Sequence, residues 1–177
     1  MIIHKIHDNS NSHVMKLLTD EFSTITDTDI IKNYHPDYMN EPSNIFYILN
    51  DRNGRYHNGA YYVIEEDGFV ASAGYNEYDQ DTILAITRMY VSVNYRAKFY
   101  IGKYVLPTIL EDTKHYSKIW ITFNDYNHIL YQYFVRTSQD KRTGLYAPWP
   151  DIYKQFKPIG KKTINHTEQY VVEKRNI

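Results

Sequence analysis

The 177-residue chain sets 20 Lys and Arg against 21 Asp and Glu, for a formal net charge of -1, and has no cysteine. Such a balance supplies no field to draw the chain onto nucleic acid or an anionic membrane, and the missing thiol removes disulfides, thiolate zinc sites and a cysteinyl intermediate together. The length suits one domain, residues 1–177; no stretch nears the ~20 apolar residues of a membrane span and MIIHKIHDNSNSH lacks a signal-peptide core, so a cytoplasmic address is expected.

Residues 2–6 alternate apolar and polar and predict a short strand. The Asn9-Ser10-Asn11-Ser12 cluster offers N-caps for a helix over 13–22, with Val14, Leu17, Leu18 and Phe22 at helical spacing. A second short helix is expected over 27–34, stopped by Pro36, and 37–59 holds turn signals at Asn53-Gly54 and Asn58-Gly59 around a segment, 44–49, that reads as strand or helical turn. Residues 60–65 and 69–75 around Glu66-Asp67-Gly68 predict a hairpin, and a long apolar strand over 83–93 follows, making three consecutive antiparallel strands. Tyrosine, at 19 residues, reads as core and interface aromatics with one wet end.

That third strand runs through a basic turn at 94–98 into a helix over about 101–115. A strand, turn and helix in this order leave the helix's first N–H groups unpaired near the positive end of its dipole, which suits a phosphate. Pro107 should kink the helix or displace its start. Residues 118–123 read as a short buried strand, parallel to a neighbour by a right-handed crossover. A helix follows from Asn124. Residues 137–155 show no periodicity and are expected to form an insertion over the site or against a partner, before two last strands over 156–160 and 168–174.

Val91, Tyr95, Arg96, Lys98, Ile101, Gly102 and Lys103 together resemble motif A of the GNAT superfamily of acyl-CoA-dependent N-acetyltransferases, a strand ending in Val-x-Pro-x-Tyr-Arg-Gly-Lys-Gly-Ile-Gly-Lys. Val93 replaces the usual Pro, Ala97 the first Gly, and Phe99-Tyr100 a single Gly, so this turn is one residue longer and more crowded. Asn124, Leu130 and Tyr131 are similar to the superfamily's motif B, Asn-x-x-Ala-x-x-Leu-Tyr, with Asn127 in place of Ala and Val135-Arg136 in place of the Gly-Phe exit. The likeness spans most of 1–136 and 156–174.

The resemblance implies an α/β (α+β) fold: a central mixed, mostly antiparallel twisted sheet with flanking helices, and strands splayed at a coenzyme cleft. It further implies an N-acetyltransferase passing an acetyl group from acetyl-CoA directly to an amine, with no metal. In that reading Met89 and Val91 pair with the pantetheine arm, and amides from Ala97 through Tyr100 and Ile101 to Gly102 receive the pyrophosphate. Arg96, Lys98 and Lys103 add charge, Asn124 orients the coenzyme or caps its helix, and Tyr131 protonates the leaving thiolate.

Glu77, Asp79 and Asp81, read as loop residues, are candidates for a general base or a cation-binding group. His4, His7 and His13 do not share one strand face, so a metal site is not expected among them, and Glu65-Glu66-Asp67 reads as a hairpin turn. The rival class is a GNAT-fold binding or assembly module that has lost the coenzyme through Phe99-Tyr100. Its tyrosine-rich surface and insertion would suit a protein partner or a homodimer. A nucleic-acid module lacks the basic stripe it would need.

Overall fold

Alternating apolar residues near the N-terminus pair as antiparallel strands, and the rest of the sheet grows from them. The computed structural model describes residues 1–24, 57–79, 82–96, 98–123, 131–132, 134–135, 151–164 and 167–176, with backbone only at 57, 58 and 79. In it β1 (Ile2–Ile6), β2 (His57–Glu66), β3 (Gly68–Asp79) and β4 (Ile83–Val91) are successive antiparallel neighbours. Beside them β5 (Lys118–Phe123) runs parallel to β4, and β7 (Thr167–Arg175) separates β5 from β6 (Lys157–Ile164) at the edge. The result is a mixed, mostly antiparallel seven-stranded sheet in the order β1-β2-β3-β4-β5-β7-β6.

The β2–β3 hairpin turns where expected, and Gly68 has φ +125, a conformation a side chain would resist. Strand β3 continues to Asp79, so Glu77 and Asp79 belong to a strand rather than to the loop assigned from sequence. The helix expected over 13–22 is α1 (Ser12–Phe22), capped by the Asn11 side chain, which accepts from the Val14 amide at 3.1 Å. The expectations for 27–34, 44–49 and Asn53-Gly54 lie outside the described residues, as do those for 137–150, whereas Asn58-Gly59, read as a turn signal, runs inside β2. Residues 151–155, expected to be irregular, form a 3-10 turn with Ile152 and Tyr153 in the core.

Each face of the sheet is covered by a different helix. On one, Val14, Leu18 and Phe22 of α1 pack on Ile6, Tyr61, Val63, Phe69 and Tyr90. Burying side chains of this size stabilises by about 1.5–3 kcal/mol each. On the other, a π-helical turn (Ile101–Val105) leads into α2 (Leu106–Asp112), and Ile101, Val105, Leu106 and Ile109 pack on Ile64, Ile86, Ile119 and Ile121. Pro107 lies inside a continuous helical run from residue 100 to 112, directly after the wider turn that Leu106 N–H closes on Ile101 C=O, and that turn adjusts the ladder to the missing N–H. The helix starts about where the sequence placed it, and the π-helical turn before Pro107, rather than a displaced start, is how the chain accommodates the proline.

Tyrosines fasten these layers. Tyr90 O–H donates to Glu21 of α1 at 2.8 Å, Tyr61 O–H to Ser72 at 2.9 Å, Tyr116 O–H to the buried Glu77, and Tyr62 O–H to Asp112 at the end of α2. Each ring fills core volume while its hydroxyl reaches a partner, the use of tyrosine its abundance suggested. Burial, then the bond to Asp112, pushes the Tyr62 phenol far above its ordinary value. Burial alone would raise the Asp112 carboxyl, but the Tyr62 hydroxyl and Lys5 Nζ, at 3.0 Å, outweigh it and hold it below the usual range.

Tyr62→Phe is expected to lower stability by about 1–2 kcal/mol, read as a lower denaturant midpoint at unchanged slope. Because the folded pKa of Asp112 is depressed, its contribution is complete above the ordinary carboxylate pKa of ~3.9 and is lost as pH falls through the folded value. Acid titration of stability should therefore be shallower in Asp112→Asn than in the parent.

Candidate active site

The parallel ladder between β4 and β5 starts at Ile83↔Lys118 and ends at Ile86↔Ile121. Past that point β4 stays on β3 as far as Val91, while β5 stays on β7 as far as Phe123. Where the two strands part at their C-terminal ends, β4 carries a bulge: Thr87 and Tyr90 face Gly74 and Ser72, so Arg88 and Met89 together oppose Ala73 alone. Arg88 takes φ 58, a left-handed conformation that costs a non-glycine residue roughly 1–2 kcal/mol. The bulge bends β4 and re-aims its backbone.

Beyond the bulge the pairing reveals what lines the gap. Ser92 N–H donates to Val70 C=O at 2.8 Å, which makes Ala71 and Val91 a non-hydrogen-bonded pair. The N–H and C=O of Val91 therefore turn away from β3 toward the gap. Arg96 Nε donates to Val91 C=O at 3.0 Å, so the guanidinium expected to meet pyrophosphate folds back and braces its own turn. The Met89 side chain is buried in the core that Ile101 and Val105 also join.

A 3-10 turn (Val93–Tyr95) carries the chain over to the helix. At the position where the motif has glycine, Phe99 stands with φ 61. The first bond of the helix is Lys103 N–H to Phe99 C=O at 2.8 Å, so the amides of Tyr100, Ile101 and Gly102 lie ahead of it, as the sequence order implied. Tyr100 does not lean over the gap. Its ring rests on Tyr95 and Tyr104 and its hydroxyl reaches Glu66 of β2, at 3.3 Å, on the side of β4 away from β5. Lys98 and Lys103 are exposed, with Lys98 Nζ 5.7 Å from the Tyr95 ring centroid. Ala97 lies outside the described residues.

Gly102 serves packing. A Cβ built on it would stand 2.7 Å from Cζ and Oη of the buried Tyr153, so the absent side chain makes room for a ring rather than only for a ligand. Nothing in the sequence linked Gly102 with Tyr153.

The other lip carries Tyr131. Residues 131–132 and 134–135 are helical, and Phe134 packs on Phe123 at the end of β5 and on Tyr153 and Phe156. Tyr131, half-buried, touches Phe123 and stacks on Tyr170 of β7 with ring centroids 4.7 Å apart. Burial and then the neighbouring Tyr170 phenol raise its pKa, so it stays protonated through the physiological range. Tyr170 carried no motif and was missed. Asn124 lies outside the described residues.

Glu77 sits elsewhere. It pairs with Leu84, seven residues before Val91 and so about 23 Å along β4 at a strand rise of ~3.3 Å per residue. It is buried, and its carboxylate accepts from Tyr116 O–H. Asp81 lies outside the described residues. The histidines also differ from expectation: His4 and His13 meet at Glu65, while His7 Nδ1 lies 3.2 Å from Gly59 C=O. The imidazoles of His13 and then His4 hold the Glu65 carboxyl below its usual range.

A mixed sheet whose parallel central strands splay at a bulge, with a turn and helix at one lip, is the GNAT fold. Solved structures bear this out. A GNAT-family acetyltransferase from Staphylococcus aureus Mu50 superposes with a TM-score of 0.63 at 17% identity, covering 99% of this chain and 100% of that one. An aminoglycoside 6'-N-acetyltransferase complexed with coenzyme A gives 0.61 at 15%, over 100% and 98%. The PaiA N-acetyltransferase of Thermoplasma acidophilum in complex with coenzyme A gives 0.51 at 9%, over 99% and 99%. At such identities the likeness is one of fold. No protein-family model matches the sequence, and no curated protein is significantly similar to it. Among the described residues no helix is long and apolar enough to cross a membrane.

The Tyr153 contact gives a sign-changing test. Gly102→Ala should cost roughly 1–3 kcal/mol in thermal or denaturant unfolding, as overpacking does. With Tyr153→Ala already present, the same change should become neutral or stabilising by up to about 1 kcal/mol, since alanine then brings only its helix propensity.

Proposed function

We propose that this chain, acting as one domain, is an acetyl-CoA-dependent N-acetyltransferase. The observation that carries the reading is the end of the β4–β5 ladder at Ile86 and Ile121, past which the two strands face each other across a gap with the leading amides of a helix at its lip. A pantetheine arm is a chain of amides and can pair with the Met89 and Val91 backbone as an added strand would. The pyrophosphate then meets the amides of residues 100–102 near the positive end of the helix, with Lys98 and Lys103 as exposed charge.

In the ternary complex the lone pair of the acceptor nitrogen attacks the thioester carbon, forming the C–N bond, and collapse breaks the C–S bond. The departing sulfur takes a proton from Tyr131 O–H, and the proton shed by the nitrogen restores the phenol through water. Tyr131 suits this task by its place beside the end of β5 and by remaining protonated. Of the two rings, Phe99 and Tyr100, that the rival binding module could set in the gap, Tyr100 is turned toward Glu66 instead, which supports catalysis.

Isothermal titration calorimetry should give acetyl-CoA affinity in the range of about 1 μM to 1 mM, typical of enzyme substrates. Lys98→Glu with Lys103→Glu should weaken it without unfolding the protein. Absence of binding to the folded parent would overturn the proposal in favour of the non-catalytic module. In an acceptor screen, Tyr131→Phe is expected to lower kcat by about 10²-fold with coenzyme affinity unchanged.

A further inference from the structure

Away from the β4–β5 gap, at the opposite border of the sheet, three metal-ligating side chains from three elements converge. His4 of β1 and Glu65 of β2 are diagonal neighbours on the face that α1 covers, since His4 pairs with Val63 and Glu65 with Ile2. His13 arrives from the first turn of α1. His4 Nε2 lies 2.9 Å from Glu65 Oε1, His13 Nε2 lies 2.9 Å from both Glu65 oxygens, and the three ligand atoms all fall within 4.8 Å of one another. The side chains of His4 and Glu65 are only 18% and 14% exposed, while that of His13 is 59% exposed.

We propose that His4, His13 and Glu65 form a binding site for a divalent transition metal of the zinc class. Two imidazoles and one carboxylate are a donor set that such ions take readily, with a fourth position left for water. Zinc stands ~2.0–2.2 Å from such atoms, which puts tetrahedral ligands ~3.4 Å apart. The nitrogen-to-oxygen distances here are shorter by a few tenths of an ångström, and the exposed His13 ring can swing to open them. Without metal the two Nε2–H groups donate to the acceptor-only carboxylate. With metal each Nε2 turns a lone pair inward and keeps its proton on Nδ1, the carboxylate supplies an oxygen, and the open face beside His13 admits the water.

The site is built before the metal arrives. Val14 and Leu18 are fully buried and Asn11 caps α1, so the helix that carries His13 is already fixed over β1 and β2. A bound ion would clip the first helix to the first two strands of the sheet.

Full-length protein stripped with chelator and titrated with ZnCl2 is expected to bind one equivalent with micromolar or tighter affinity, and its Tm should rise with added zinc. His13→Ala, an exposed position where folding is not at stake, and Glu65→Gln should each weaken binding by about 100-fold or more, whereas His7→Ala should not change it. Co²⁺ in place of Zn²⁺ should give the intense visible bands of a four- or five-coordinate site. No binding, equal affinity in the parent and His13→Ala, a His7→Ala loss matching that of His13→Ala, or a spectrum like that of hydrated Co²⁺ would each overturn the proposal.

Discussion

Backbone N–H and C=O groups have to be paired, and β4 loses its β5 partner after Ile86. That break in one ladder organises the molecule. Strand β4 must still hold to β3 as far as Val91, so the departure is taken up by a bulge at Arg88 with its strained φ of 58. Beyond the bulge Val91 N–H faces a gap where an amide-bearing ligand can pair with it, beside the C=O that Arg96 Nε already holds.

The turn after β4 shows how packing redirects residues that resemble a motif. Arg96 resembles a phosphate ligand but braces Val91 C=O, and Gly102 resembles a phosphate-turn glycine but makes room for Tyr153. Phe99 holds a left-handed conformation where glycine would be at ease, and Tyr100 is drawn to Glu66. The longer turn keeps the helix's leading amides ahead of its first bond while placing its two aromatics among neighbouring side chains. It is the geometry of the backbone, more than residue identity, that survives in this version of the turn.

Tyrosine abundance has a physical use in the same frame. Tyr62 and Tyr90 tie α2 and α1 to the sheet through carboxylates, Tyr61 bonds within it, and Tyr131 and Tyr170 stack beyond β5. With no cysteine to cross-link layers, hydrogen-bonded aromatic rings join the helices to the strands. The cost of burying each hydroxyl is offset by its partner.

The sequence by itself determined the strand order of residues 60–93, the capped helix over 13–22, the strand, turn and helix that begin at 83, and the short strand at 118–123. Each is written in local periodicity or turn chemistry, which act over a few residues. Only the tertiary structure decided which residues share a site. Glu77 lies a strand's length from Val91 because β3 runs on where acidic residues suggested a loop. The bulge at Arg88 has no glycine to announce it. Tyr153 meets Gly102, and His4 and His13 meet Glu65, across separations of dozens of residues. Periodicity records which face of an element is buried; it does not record what another element brings to that face, because that is set by packing across the sheet.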